Sequence, residues 1–161
     1  MTNANVKTEL LRYPVLEFSK GMVFPARGVE ELEQCTTPAL RSGFFDDLLL
    51  IDSGGRSLKI AGARKVRGVG PLFGFSIFLN RRIQVTLTAS GPERIAGVEE
   101  VRRLVLGALQ GEQEWKSTSD IDELVAIVTQ AKSISEIAAA VTNAYYRRGA
   151  SSETSRYTRG S

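Results

Sequence analysis

Leu48-Leu49-Leu50-Ile51-Asp52-Ser53-Gly54-Gly55-Arg56-Ser57-Leu58-Lys59-Ile60 decides the fold of this chain. Leu48 to Ile51 is an uninterrupted apolar run, the mark of a strand buried on both faces. Asp52-Ser53-Gly54-Gly55 reads as a turn, because glycine takes positive φ without steric cost. Beyond it, Leu58 and Ile60 point inward and Lys59 outward. Two short antiparallel strands joined by a Gly-Gly turn therefore lie at the centre of the Phe44–Thr88 segment.

The same strand chemistry continues outward. Ala63 to Arg67 reads as a further strand, and Gly68-Val69-Gly70-Pro71 as a turn or bulge. Phe73, Phe75, Ile77 and Leu79 share one face, with Gly74, Ser76 and Phe78 on the other. Asn80-Arg81 is a tight hairpin, after which Ile83, Val85 and Leu87 alternate with Gln84, Thr86 and Thr88. Upstream, Tyr13–Phe18 and Met22–Phe24 form a hairpin across Ser19-Lys20-Gly21. Gly28 to Glu33 is a short helix whose first turn is acidic, which suits the helix dipole. Thr36-Thr37-Pro38 stops it.

After Ser90-Gly91-Pro92 the period becomes helical. Val98, Val101, Leu104, Val105, Ala108 and Leu109 line one face, while Glu99, Arg102 and Arg103 point out. Gly111–Ser119 is a connection containing Trp115, which is either a core plug or an interface anchor. Asp120-x-x-Glu123 and Ser133-x-x-Glu136 are capping boxes that start two more helices. The fold class is α+β: an antiparallel β-sheet of five to six strands followed by two to three packing helices. Residues 13–146 form the domain, residues 1–12 a flexible N-terminus and residues 147–161 a disordered basic tail. The helices are expected to cover a sheet face made by Phe73, Phe75, Ile77, Ile83, Val85 and Leu87.

Composition excludes several chemistries. The 161 residues include no histidine, so imidazole-based nucleophiles and metal sites are out. A single cysteine, Cys35, can form neither an intrachain disulfide nor a Cys-rich metal site. That suits a reducing compartment, and the chain reads as cytoplasmic. Its best apolar run, Leu72–Leu79, is far shorter than a membrane span. No cofactor, metal ligand set or catalytic constellation is expected.

Smaller motifs have plain structural readings. Gly68-x-Gly70-x-x-x-Gly74 has the wrong spacing for a dinucleotide loop and precedes a strand. Asp46, Asp47 and Asp52 flank a strand whose length separates them by roughly 15–20 Å, so they suit turns better than a shared cation. Ser53 is explained by its turn. Tyr145, Tyr146, Arg147 and Arg148 end the last helix, where cations favour the helix C-terminus.

Charge is the strongest functional signal. Ser53 through Pro92 contains no Asp or Glu, whereas Arg56, Lys59, Arg64, Lys65, Arg67, Arg81 and Arg82 supply seven positive charges. The whole chain carries only +3, so the remainder is net acidic. These seven residues are the partner-binding candidates. They serve either to keep a solvated sheet soluble and its edges guarded, or to meet an anionic partner. Phe78 is the one aromatic placed to stack on a base, which keeps nucleic acid as an alternative partner.

The Tyr13-Pro14-Val15-Leu16-Glu17-Phe18 opening, the Leu48–Arg56 strand and turn, and the helical ending together resemble small bacterial immunity proteins of toxin–immunity systems. The resemblance spans Tyr13 to Tyr146 and lies in general layout. It implies a non-enzymatic protein that neutralises a cognate toxin by direct binding. Immunity proteins against nucleases are often acidic whereas this chain is basic, so the resemblance implies either a toxin that is not a basic nuclease or a contact through acidic surfaces at Glu30, Glu31 and Glu33 or at Asp120, Asp122 and Glu123.

Overall fold

Alternating apolar residues and two-residue turns build the first half of the molecule into a curled sheet. The computed structural model describes residues 4–68, 82–111, 115 and 120–149. Its strands are β1 (Ala4–Asn5), β2 (Val15–Ser19), β3 (Met22–Ala26), β4 (Gln34–Thr36), β5 (Leu49–Ile51), β6 (Arg56–Gly68), β7 (Arg82–Ala89) and β8 (Arg94–Ile95). Every ladder is antiparallel, in the order β1-β7-β6-β5-β2-β3, with β4 also on β7 and β8 also on β6. The β2–β3 hairpin turns at Lys20 (φ 50°) and Gly21 (φ 78°), the two positive φ values that match strand twist.

β6 is the spine of the sheet. Its first residues pair with β5 on one edge, Ser57 to Lys59 opposite Ile51 to Leu49, and with β8 on the other. From Ile60 it pairs with β7. The register slips at Ile60/Gly62 and again at Lys65/Arg67, so Ala61 and Val66 are extra residues. Each bulge bends the strand and raises its twist. Beyond Ile60, whose N–H reaches the Leu48 carbonyl at 2.7 Å, the β5-side edge of β6 carries no strand among the described residues. The expected separate strand at Ala63–Arg67 is thus the continuation of β6.

The curled sheet has a core on each side. Inside the curl, Val15, Phe24, Leu50, Ile60, Ile83, Val85 and Leu87 meet Leu32 of α1 (Val29–Glu33), Ala39 of α2 (Thr37–Arg41), Cys35 and the Phe44–Phe45 loop. On the other side, Leu16, Val23 and Ile51 are covered by α3 (Val98–Gly111), α4 (Ile121–Gln130) and α5 (Ile134–Gly149). Trp115, 1% exposed, belongs to this second core, so it is a core plug. Tyr145 touches both cores. Its ring sits 6.4 Å from that of Phe24 and 6.2 Å from that of Trp115.

Several expectations need correction. The helices do not cover Ile83, Val85 and Leu87, which face the opposite core; the helices lie over β2, β3 and β5 instead. Phe73, Phe75, Ile77, Phe78 and the Asn80-Arg81 turn lie outside the described residues. The Gly28–Glu33 helix ends at Glu33, ahead of Thr36-Thr37-Pro38 as expected, but those residues belong to two further elements. Gln34–Thr36 becomes β4, and the Thr36 hydroxyl accepts from the Ala39 N–H at 3.3 Å to cap α2. From Ala4 the N-terminus is built into the sheet, with Ala4 opposite Ala89, and Thr8–Leu10 forms a 3-10 turn. Arg147 and Arg148, assigned to the tail, belong to α5. The Ser133 box forms, since the Ser133 hydroxyl accepts from the Glu136 N–H at 3.1 Å. Asp120 stands at the α4 N-cap without a side-chain cap bond.

Candidate partner-binding surface

The acid-free run in sequence is not acid-free in space. Arg56 sits where β6 meets β8, so chain folding brings Glu93 beside it. Its Nε and Nη2 donate to the two Glu93 carboxylate oxygens at 2.9 and 2.6 Å, and Nη1 donates to the Leu10 carbonyl at 2.8 Å. The Glu93 bond holds the Arg56 guanidinium above its usual range, and Arg56 in turn holds the Glu93 carboxyl below its own. Lys59, one turn of the ladder away, lies 3.3 Å from Asp47 across an exposed surface. These two cations are occupied within the molecule.

Arg64 and Lys65 are different. They lie on β6 beyond its first bulge, where the strand extends past the β5 layer, opposite Thr86 and Val85. Both side chains are exposed, and neither meets an acidic partner among the described residues. Val66 beside them is 54% exposed. Arg67 stands opposite Gln84 and Arg82 opposite Thr36, so both are positions on the same end of the β6–β7 ladder. Arg81 lies outside the described residues. The structure therefore divides the seven candidates. Arg64 and Lys65, with the Arg67 and Arg82 positions, belong to a basic β6–β7 arm, while Arg56 and Lys59 belong to local ion pairs nearer the helical end.

The acidic surfaces divide as well. Glu31 is engaged: Arg27 donates to it from Nε and Nη2 at 2.9 and 2.6 Å and from its backbone N–H at 2.7 Å. The Tyr146 hydroxyl donates at 2.5 Å, and the Arg27 guanidinium stacks 3.6 Å from the Tyr146 ring centroid. Burial pulls the Glu31 carboxyl upward, but the bonds from Arg27 and Tyr146 outweigh it and hold it below its usual range. Glu33 accepts from the Thr8 hydroxyl and from the Gln84 amide. Tyr146 is thus a tie between α5 and α1, a role its place at a helix end did not reveal.

Among the described residues two carboxylates are fully buried, Glu17 and Asp52. Asp52 organises its turn: Oδ1 accepts from the N–H groups of Gly54 and Arg56, each at 2.9 Å, and Oδ2 from that of Arg12 at 3.0 Å. Glu17 lies on β2 between Phe24 and Leu50, both members of the interior core. Its burial was not legible in sequence, because an alternating strand beside a Gly turn reads equally well with the glutamate outward. Arg102, expected to point out, donates from Nε to the Val128 carbonyl at 3.2 Å and from Nη2 to the Ala131 carbonyl. It closes the C-terminus of α4. No described group of acidic or cysteine side chains is arranged to hold a metal ion, and no described helix is long and apolar enough to cross a membrane.

Comparison with protein families, curated proteins and solved structures finds no match to this chain. The surface must therefore be interpreted from its own chemistry.

Proposed function

We propose that this chain is a non-enzymatic binding protein that engages a protein partner through its basic β6–β7 arm, in the manner of an immunity protein that neutralises a toxin. The observation that supports this reading is the pair of exposed cations Arg64 and Lys65, which meet no acidic partner among the described residues, on the part of β6 that runs beyond β5. Elsewhere on the same strand the cations Arg56 and Lys59 have internal acidic partners. Exposed like charge on one stretch of strand favours an anionic contact surface and steers its approach.

The test is affinity capture with the tagged chain at about 0.15 M salt, where the screening length is about 8 Å. Wild type is expected to retain one protein partner that the Arg64→Glu/Lys65→Glu double variant loses, while Lys59→Ala retains it. Equal retention by the double variant refutes the assignment of this surface. Nucleic acid in the eluate, released with a log–log salt slope of about −3 to −4 for four phosphate contacts, would transfer the arm to the alternative of nucleic-acid binding.

A further inference from the structure

Beyond Ile60, one edge of β6 carries no strand among the described residues. The Val6 N–H donates to the Leu87 carbonyl at 2.9 Å, so the Leu87 peptide groups face β1 and turn away from β6. In an antiparallel ladder, residues facing toward and away from a given neighbour alternate. Leu87 is opposite Ala63 and Val85 is opposite Lys65. The N–H and C=O groups of Ala63 and Lys65 therefore point away from β7, toward the edge that no described strand occupies. Gly62 and Arg64 face β7.

Among the described residues nothing crowds this edge. Ala61-Gly62-Ala63 carries the smallest side chains on β6, and a Cβ built on Gly62 would meet nothing within 4 Å. Glycine within a strand marks places where another backbone comes close. The regular stretch between the two bulges, Gly62 to Lys65, is long enough, because β4 and β5 each hold their place in this sheet with three residues.

We propose that an extended, acidic segment of a protein partner adds to this edge as an antiparallel strand, bonding to the peptide groups of Ala63 and Lys65 and pairing its carboxylates with Arg64 and Lys65. The proposal rests on the binding-protein reading above and adds its mode. Charge selects the occupant. A second copy of this chain pairing through the same edge would bring Arg64 and Lys65 against their own counterparts, and like charges across a ladder repel. An acidic strand meets the opposite sign at the same positions, and main-chain bonds supply affinity in such augmented sheets.

The probe is an eight-residue peptide, Val-Thr-Glu-Glu-Glu-Glu-Thr-Val, capped at both ends and titrated at low salt onto the full chain; its consecutive glutamates reach both faces of the sheet, as the consecutive Arg64 and Lys65 do. Its counterpart carries the same charges but is N-methylated at alternate residues along one edge. Two counterparts cover the two edges. The expected result is that the unmodified peptide slows amide exchange at Ala63 and Lys65 by at least about tenfold. One N-methylated form should bind at least about tenfold more weakly, because methylation removes ladder donors. Ala63→Pro, which keeps every charge and removes an edge-facing N–H, is expected to lose peptide binding while keeping the wild-type circular dichroism spectrum. All three peptides binding alike, without protection at Ala63 and Lys65, would overturn strand addition and leave a contact made by charge alone. Absence of peptide binding at low salt overturns it too. The binding-protein reading fails by a separate result, retention of the captured partner by Arg64→Glu/Lys65→Glu.

Discussion

Replacing Asp52 tests whether one buried carboxylate sets the geometry of the central turn. The side chain is fully buried and accepts three backbone N–H groups, from Arg12, Gly54 and Arg56, at 2.9 to 3.0 Å. The same turn is fastened to the segment before β2, where the Ser53 hydroxyl donates to the Pro14 carbonyl at 2.7 Å. Bonds to a charged acceptor contribute roughly 1.5–3 kcal/mol each. Arg12 and Gly54 are exposed residues, so water can satisfy part of what Asp52→Ala removes. The low end of the range applies, and Asp52→Ala should cost about 3–5 kcal/mol. That is a large share of the roughly 5–15 kcal/mol of stability usual for a domain. Asp52→Asn separates the contributions. Its amide oxygen can replace Oδ1 for Gly54 and Arg56, but its NH2 group then faces the Arg12 N–H, donor against donor. The expected cost is about 1.5–3 kcal/mol, between wild type and alanine. Urea unfolding with the slope held fixed reads both values. A loss below about 1 kcal/mol for Asp52→Ala would refute the view that this carboxylate ties the turn to Arg12.

Three further outcomes follow from named contacts. Gly55 has φ +89°, and an added Cβ would lie 3.0 Å from Ile134 Cδ1 and 3.2 Å from the Ala96 carbonyl, so Gly55→Ala should cost about 2–3 kcal/mol by thermal unfolding. Glu31 has a carboxyl held below its ordinary value of 4.5, so its contribution is complete above that pH and is lost as pH falls through the depressed folded value. The stability gap between wild type and Tyr146→Phe should therefore be about 1 kcal/mol at pH 7 and shrink on acidification below about pH 4.5; a gap that widens in acid refutes the assignment. Arg102→Met keeps the aliphatic stem but removes the donors to Val128 and Ala131, so it should cost about 1–2 kcal/mol and speed amide exchange in the last turn of α4.

The strands that alternate cleanly were legible in the sequence. Leu58, Ile60, Ile83, Val85 and Leu87 all face a core, because period-two burial leaves a mark that needs no tertiary knowledge. Which core they face was not legible. Both cores want the same residue types, and only the curl of the sheet decides that the helices lie over Leu16, Val23 and Ile51. β4 was hidden for a related reason: three residues carry too little pattern, and Gln34–Thr36 is a strand because β7 offers it an edge. The basic region was legible as composition and not as a surface. Glu93 and Asp47, remote or set apart in sequence, take Arg56 and Lys59 out of it, and only the ladder shows that Arg64 and Lys65 remain. Arg102 was misread because a charge on the polar side of a helix ordinarily meets water, whereas here the neighbouring helix ends against it.

The pairing of β1 with β7 has a consequence for how the chain is made. Ala4 and Asn5 find their partners at Ala89 and Thr88, about 85 positions later. A ribosome adding roughly 5–20 residues per second needs about 4–17 seconds to cover that distance. From Ala26 onward the β2–β3 hairpin is complete, and β5 later joins it, but β7, which brings Ile83, Val85 and Leu87 to the core of Val15, Phe24 and Leu50, has not been synthesised. The helices that cover Leu16, Val23 and Ile51 come later still. The nascent chain thus presents a small sheet that is apolar on both faces, and Ala4 and Asn5 wait for the strand they pair with. Such an intermediate is the stage at which a chaperone would be most needed, and the stage at which over-fast expression would divert the chain into aggregates.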